Sequence, residues 1–244
     1  AGINLQPGQC LTISTGYQHY EFALKLAEAA YRSGAKFVEI ETQSDKNTMV
    51  RLNSTINKSD VEFVPDYVKS KMYEMISDKW ASIRIANTEE MDILKECDPE
   101  LLEKYTRSAR GARKKLSNYF MRDDIPWCVV AYPGKEWADK IFQSDAADNV
   151  EKLNTVFKSI LRLDKADPYK EWVSHSEKLT KRAETLNKLK LKKLHFTAKN
   201  GDLTIYLNAN SKWMGGPAGL PDGRLFIPHL PTEEVFTTPD FTKT

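Results

Sequence analysis

Apolar positions along most of this chain switch between a spacing of two and a spacing near 3.6. The run CLTIST is short, β-branched and preceded by Pro-Gly-Gln, so it predicts a buried strand. Over residues 18–33, Tyr20, Ala23, Leu24, Ala27, Ala30 and Tyr31 fall at helical spacing, and Gly34 stands where a helix-ending glycine belongs. KFVEIET (36–42) predicts a second strand. Strand, four-turn helix and strand in this order form the repeating unit of a parallel sheet.

The alternation continues. Pro65 to Ser77 predicts a helix and WASIRIAN (80–87) a third strand. Asp98 followed by Pro99 is a helix cap with proline at the first helical position. Leu101, Leu102, Tyr105, Ala109, Ala112 and Leu116 give that helix an apolar face. WCVVAYP (127–133) is compact and apolar, as a strand covered on both faces should be. Two helices follow over about 146–190. One carries the stripe Val150, Leu153, Phe157, Ile160 and Leu161. The other opens at Asp167-Pro168, with Trp172, Leu179, Ala183, Leu186 and Leu189 expected to face inward.

Near residue 191 the period changes to two. KLHFTAK, NGD and LTIYLNA in succession predict a β-hairpin. WMGGPAGLPDG (213–223) is a glycine- and proline-rich loop, and RLFIPHL and EVFTTP are short extended pieces. The expected fold class is therefore α/β: a three-layer, mostly parallel sheet flanked by helices, then a hairpin and the start of a second domain. The expected division places the α/β domain at 1–190 and a β-rich segment at 191–244.

Composition narrows the function classes. The 36 basic and 34 acidic residues leave a net charge of +2, too balanced to argue for nucleic acid or an anionic membrane. No apolar run approaches the ~18 residues of a membrane span, and the opening AGINLQPGQCLTI does not read as a signal peptide. Cys10, Cys97 and Cys128 are widely spaced, with no CxxC pair, and are expected to be reduced thiols in a cytosolic protein.

Several stretches are candidates for chemistry. The turn STGYQH after the first strand holds one glycine, Gly16, where a dinucleotide fingerprint requires three, so it reads as a plain turn. The basic stretches RSARGARKK (107–115) and KLKLKK (188–193) read as solvated helix faces, without the interleaved aromatic residues of a single-strand binder. His19, His175 and His195 are isolated and read as structural. His229 precedes Glu233 and Glu234 by four and five residues, a spacing compatible with a shared divalent ion. Neighbouring residues on an extended strand point to opposite faces, so one of the two glutamates should face inward. An inward carboxylate needs a cation, and a divalent metal and an arginine both qualify.

PTEEVFTTPD, after a tryptophan-containing glycine loop and the lead-in GRLFIP, resembles the signature of the aminopeptidase T and aminopeptidase S family of metalloaminopeptidases. The opening GINLQPGQCLTI is similar to the first strand of that family. The resemblance implies a two-domain hydrolase that removes N-terminal amino acids from peptides, a cytoplasmic homodimer with a two-metal site. Zn, Co, Mn and Mg are not distinguished by it. The metal-binding glutamate of the motif falls on Glu234, with Glu233 beside it. The other ligands of the family, a further Glu, histidines and an Asp, come from its C-terminal half. The resemblance thus implies an N-terminal domain plus the first strand or two of the catalytic domain, inactive alone. His229 stands where the family more often shows Asn, and its role stays open. Gly215, Gly216 and Gly219 are expected to leave a loop loose enough to border the cleft, or to form a plain surface loop. The rival reading is a non-catalytic α/β module that binds nucleotide, RNA or protein, or that mediates dimerisation.

Overall fold

Residues 2–86, 88–90 and 92–243 are described by a computed structural model. A five-stranded parallel sheet holds the fold together: β1 (Cys10–Gly16), β2 (Phe37–Gln43), β3 (Ala81–Ile85), β4 (Trp127–Val130) and a late strand, residues 229–230. The spatial order is β2-β1-β3-β4 followed by that late strand. The order reverses direction between β1 and β3, which makes that pair the switch point of the sheet. Helices α1 (Tyr20–Arg32), α2 (Asp45–Ser54), α3 (Asp66–Ser77) and α4 (Pro99–Met121) make the connections, followed by α5 (Lys135–Phe142), α6 (Asn149–Ile160) and α7 (Pro168–Leu189). The chain is thus α/β, with a parallel sheet flanked by helices and a separate antiparallel hairpin, as the periodicity predicts. The short α2 and α5 have no counterpart in that reading.

The two faces of the sheet differ in chemistry. Leu11 and Ile13 of β1, Val38 and Ile40 of β2, Ile83 and Ile85 of β3 and Cys128 of β4 point to one side. There Ala23, Ala27 and Ala30 of α1 cover them, and the small side chains let the helix lie close. The opposite face carries Thr12 and Ser14, Glu39 and Glu41, and Ser82 and Arg84. Strands covered on both faces are ordinarily apolar throughout, so this alternation marks a face that is only partly covered. Met72 and Met75 of α3, Leu116 of α4, Trp80 and Ile125 seal one end of it against Cys10. Beyond them, Lys71 Nζ bonds Glu39 Oε2 at 2.8 Å and approaches Glu41 Oε2 at 3.8 Å.

Two glutamates at the end of β3 tie helix starts to the sheet. Glu89 accepts from the backbone N–H of Glu136 at 2.9 Å and of Trp137 at 3.4 Å, at the first turn of α5. Glu90 accepts from the N–H groups of Asp45 (2.9 Å) and Lys46 (3.2 Å) and from Ser44 Oγ, at the first turn of α2. A carboxylate is favoured where unpaired helix N–H groups converge. Burial would raise the Glu90 carboxyl pKa, but these hydrogen bonds hold it below its ordinary value.

The helix α7 ends where the sequence pattern changes. Trp172, Leu179 and Ala183 are buried as expected, whereas Leu189 is exposed because it sits in the last turn. Strands β5 (Lys193–Ala198) and β6 (Gly201–Tyr206) then form the hairpin, with most residues exposed on both faces. A small pair, β7 (Ala218–Gly219) and β8 (Leu225–Phe226), follows. The chain then returns to the first sheet as β9 (His229–Leu230), parallel to β4, with Val129 N–H bonded to the Pro228 carbonyl at 2.8 Å. Ile227 N–H also bonds the Gly2 carbonyl at 2.9 Å. The period-two segment therefore supplies both a separate hairpin and the fifth strand of the sheet. The Leu230–Pro231 peptide is cis.

Candidate functional site

The glutamate pair lies just past β9, where the chain leaves the sheet. Residues 232–235 pair with no strand among the described residues, and Phe236 then bridges Met214 through two backbone hydrogen bonds of 2.8 Å. Both glutamates are exposed, so the expectation that one faces inward is not met. The alternation rule presupposes a strand with one covered face, and this segment lies on the surface.

Glu233 is the one that finds the arginine. Its Oε1 accepts from Arg162 at 2.8 Å, and its Oε2 lies 3.2 Å from His175 Nε2. Arg162 follows the end of α6 and is stacked over the Trp172 ring, 4.4 Å from its centroid. Trp172 in turn meets His175 edge-on at 5.6 Å and donates its indole N–H to the Leu161 carbonyl. The Nε2 of His175 is also 2.9 Å from the Thr232 carbonyl. A carbonyl only accepts, so this nitrogen carries the proton and donates. The junction of α6 and α7 thereby holds Thr232 and Glu233 in place.

Glu234 is left outside this cluster. One of its carboxylate oxygens accepts from the Glu233 N–H at 3.1 Å, and among the described residues it meets no cation. His229 is on β9, its ring edge-on to the Trp127 indole at 5.1 Å, with no ion pair to either glutamate among the described residues. The structure thus joins His175 and Arg162 to the pair and leaves His229 aside. Sequence spacing singled out His229 because it is near in the chain. His175 is far away in sequence, and only the packing of α7 brings it close.

The glycine loop is the scaffold of this segment. It is not loose: Asn187 on α7 receives Trp213 N–H at 2.9 Å and donates to the Trp213 carbonyl at 2.9 Å. Gly216 has φ +88°, and a Cβ there would stand 2.5 Å from both the Ser176 carbonyl oxygen and Thr180 Oγ1. A Cβ at Gly215 would stand 2.6 Å from Val235 Cγ1 and 3.2 Å from the Glu234 carbonyl oxygen. Absent side chains at these positions let α7, the loop and the glutamate segment stack in direct contact.

His19, His195 and the cysteines lie apart from the glutamate pair. His19 is buried at the start of α1 against Tyr132, with Nε2 unbonded among the described residues. Burial lowers its pKa, and the nearby Glu89 carboxylate opposes this. His195 pairs with Asp202 across the hairpin at 2.8 Å. The three cysteines are free, with Cys97 and Cys128 buried.

Residues 1–244 match, over their whole length, the family described as thermophilic metalloprotease (M29). The chain belongs to that family. It is similar to aminopeptidase PepS of Streptococcus thermophilus, at 34% identity over 246 residues, covering 99% of this chain and 59% of that protein. Aminopeptidase T of Thermus aquaticus is 26% identical over 239 residues, covering 98% of this chain and 58% of that protein. The solved structure of wild-type AmpT from Thermus thermophilus superimposes with a TM-score of 0.86 at 25% identity, over 98% of this chain and 58% of that one. The chain therefore spans under three fifths of the length of the relatives it matches. The family is one of metalloproteases. Among the described residues no group of three His, Cys, Asp or Glu is placed to hold an ion. Glu234 alone does not form a site of the zinc type, since a catalytic zinc takes three protein donors. The residues present do not hold the metal by themselves. No helix among the described residues is long and apolar enough to cross a membrane.

Proposed function

We propose that this chain is the sheet-bearing part of a divalent-metal-dependent aminopeptidase that removes N-terminal residues from peptides, and that Glu234 gives one ligand to its metal centre. The observation that carries the choice of glutamate is the occupation of Glu233. Arg162 bonds one oxygen of that carboxylate and His175 Nε2 lies 3.2 Å from the other, whereas among the described residues Glu234 meets no cation. A carboxylate on a firmly seated segment loses little conformational freedom on becoming a ligand, because its backbone is already fixed. In this reading Arg162 and His175 serve as the clamp that aims the neighbouring residue.

The family match supports the activity, and the names of the relatives support peptides as the substrate class. Cytoplasmic location and a homodimer belong to the same proposal, as does a two-ion site. The remaining donors lie outside the described residues, so residues 1–244 alone turn over no aminoacyl-arylamide. The test is Glu234→Gln in a full-length protein containing this sequence, with metal content and arylamide hydrolysis measured alongside thermal unfolding. Loss of metal and of activity is expected, with cooperative unfolding retained and a melting temperature no lower than that of the metal-free parent. Retention of both in Glu234→Gln, or metal-dependent turnover by residues 1–244 alone, would refute the proposal.

A further inference from the structure

The partly covered face of the parallel sheet borders an open cleft of about 880 Å³ under α4. This volume lies within the range of small-molecule sites. Thr12 and Ser14 of β1 and Ser82 and Arg84 of β3 give its floor a polar part, beside the apolar Trp127, Met72 and Met75. Its wall is the stretch Arg110, Gly111, Arg113 and Lys114 of α4, part of the basic run that the sequence alone marks as a solvated face.

Three observations separate this cleft from a gap between elements. First, its charge is one-sided. Arg84, Arg110, Arg113 and Lys114 line it, and Glu41 is the carboxylate among the lining residues. Glu41 is already shared, 3.8 Å from Lys71 and 3.9 Å from Arg113. Among the described residues Arg84, Arg110 and Lys114 have no acidic partner, although Arg84 stands on a central strand. A guanidinium there displaces an apolar side chain from a position that ordinarily packs against a helix. Second, Thr12 is 4% exposed, and its hydroxyl is buried without a hydrogen-bond partner among the described residues. Third, Ser14 and Arg84 are register partners across β1 and β3, the two strands between which the sheet order reverses. Ligands of open α/β sheets gather at this reversal beside the carboxyl ends of the strands, and Ser14 and Arg84 each lie within the last three residues of their strand.

We propose that this cleft binds a phosphorylated small molecule, with Arg84 gripping the phosphate and Arg110 and Lys114 closing on it from α4. An arginine fork matches phosphate oxygens in pairs, and the Thr12 and Ser14 hydroxyls supply donors on the sheet side. The site is separate from the glutamate segment, so its test does not depend on the peptidase reading.

Titration calorimetry of the 244-residue chain with AMP, inorganic pyrophosphate, adenosine and citrate provides the test. Saturable binding of AMP or pyrophosphate is expected, with adenosine and citrate at least tenfold weaker. Arg84→Gln and Lys114→Gln should each weaken the phosphate ligands by tenfold or more. Lys188→Gln, on the other basic stretch, should leave them unchanged. Arg84 and Lys114 are exposed enough for these changes to leave the fold intact, which an unchanged melting temperature checks. The proposal is overturned if neither phosphate ligand binds at millimolar concentration. It is equally overturned if Arg84→Gln and Lys114→Gln bind as the parent does, or if adenosine or citrate binds as tightly.

Discussion

Replacing Gly216 by Ala tests whether the glycine loop is a fitted part of the glutamate segment. Two costs add at this position. The backbone has φ +88°, and a left-handed conformation costs an L-residue about 1–2 kcal/mol. The new Cβ would also stand 2.5 Å from a backbone carbonyl oxygen of α7, and forcing extra atoms into a packed site costs roughly 1–3 kcal/mol. The sum is about 3 kcal/mol, or a melting temperature lowered by roughly 9 °C for a chain of this size. Gly223 is the matched control. Its φ is +84°, but a Cβ there meets nothing within 4 Å. Gly223→Ala should therefore carry only the backbone part, about 1 kcal/mol and roughly 3 °C. Thermal unfolding of both variants gives the difference directly. Hydrogen exchange then localises it: Gly216→Ala should speed exchange at Met214 and Phe236, whose N–H groups form the bridge next to Glu234. If Gly216→Ala melts no lower than Gly223→Ala, the loop is not wedged against α7 and the account of how Glu234 is positioned fails.

Two further predictions concern buried titratable groups. The pKa of His19 is lowered in the folded protein by burial, against the pull of Glu89. Above about pH 6.5 both folded and unfolded forms are neutral there. As the pH falls below that value the unfolded state takes up a proton first, so stability present at neutral pH is lost towards pH 5. Denaturant midpoints over this range should fall less steeply for His19→Gln, and identical slopes would rule the assignment out. Burial pushes the Cys128 thiol up to about 12, so it holds almost no thiolate at neutral pH. A thiol reagent should label it only after unfolding, whereas rapid labelling of Cys128 in the native chain, seen by peptide mass, would contradict its placement in the core.

Much of the fold is legible in the sequence because short-range patterns encode it. Asp98 followed by Pro99 starts α4 in the structure, with the Asp98 carboxylate accepting from the Glu100 N–H at 2.8 Å. The hairpin is equally local: Leu194 faces Ile205 and Phe196 faces Leu203 across a turn at 199–200. The short α2 and α5 escape such reading. Both receive hydrogen bonds at their first turn from a carboxylate past the end of β3, over forty residues away, although Ser44 also caps α2 locally. The polar half of the strand alternation is visible in CLTIST and SIRI, but its meaning is not. A solvated face, an ion network and a ligand cleft leave the same pattern.

The tripeptide Thr-Glu-Glu occurs twice, at 88–90 and at 232–234. Sequence alone determines that both are unwelcome inside a core unless partnered, and the wider motif around the second places the chain among metal-dependent peptidases. Tertiary structure decides the rest. At the end of β3 the two carboxylates are buried because helix N–H groups converge on them. After β9 one carboxylate is clamped by groups from α6 and α7, and the other is left in water. The physical reason is that a carboxylate takes its role from the donors around it, and those donors come from segments that only folding brings together.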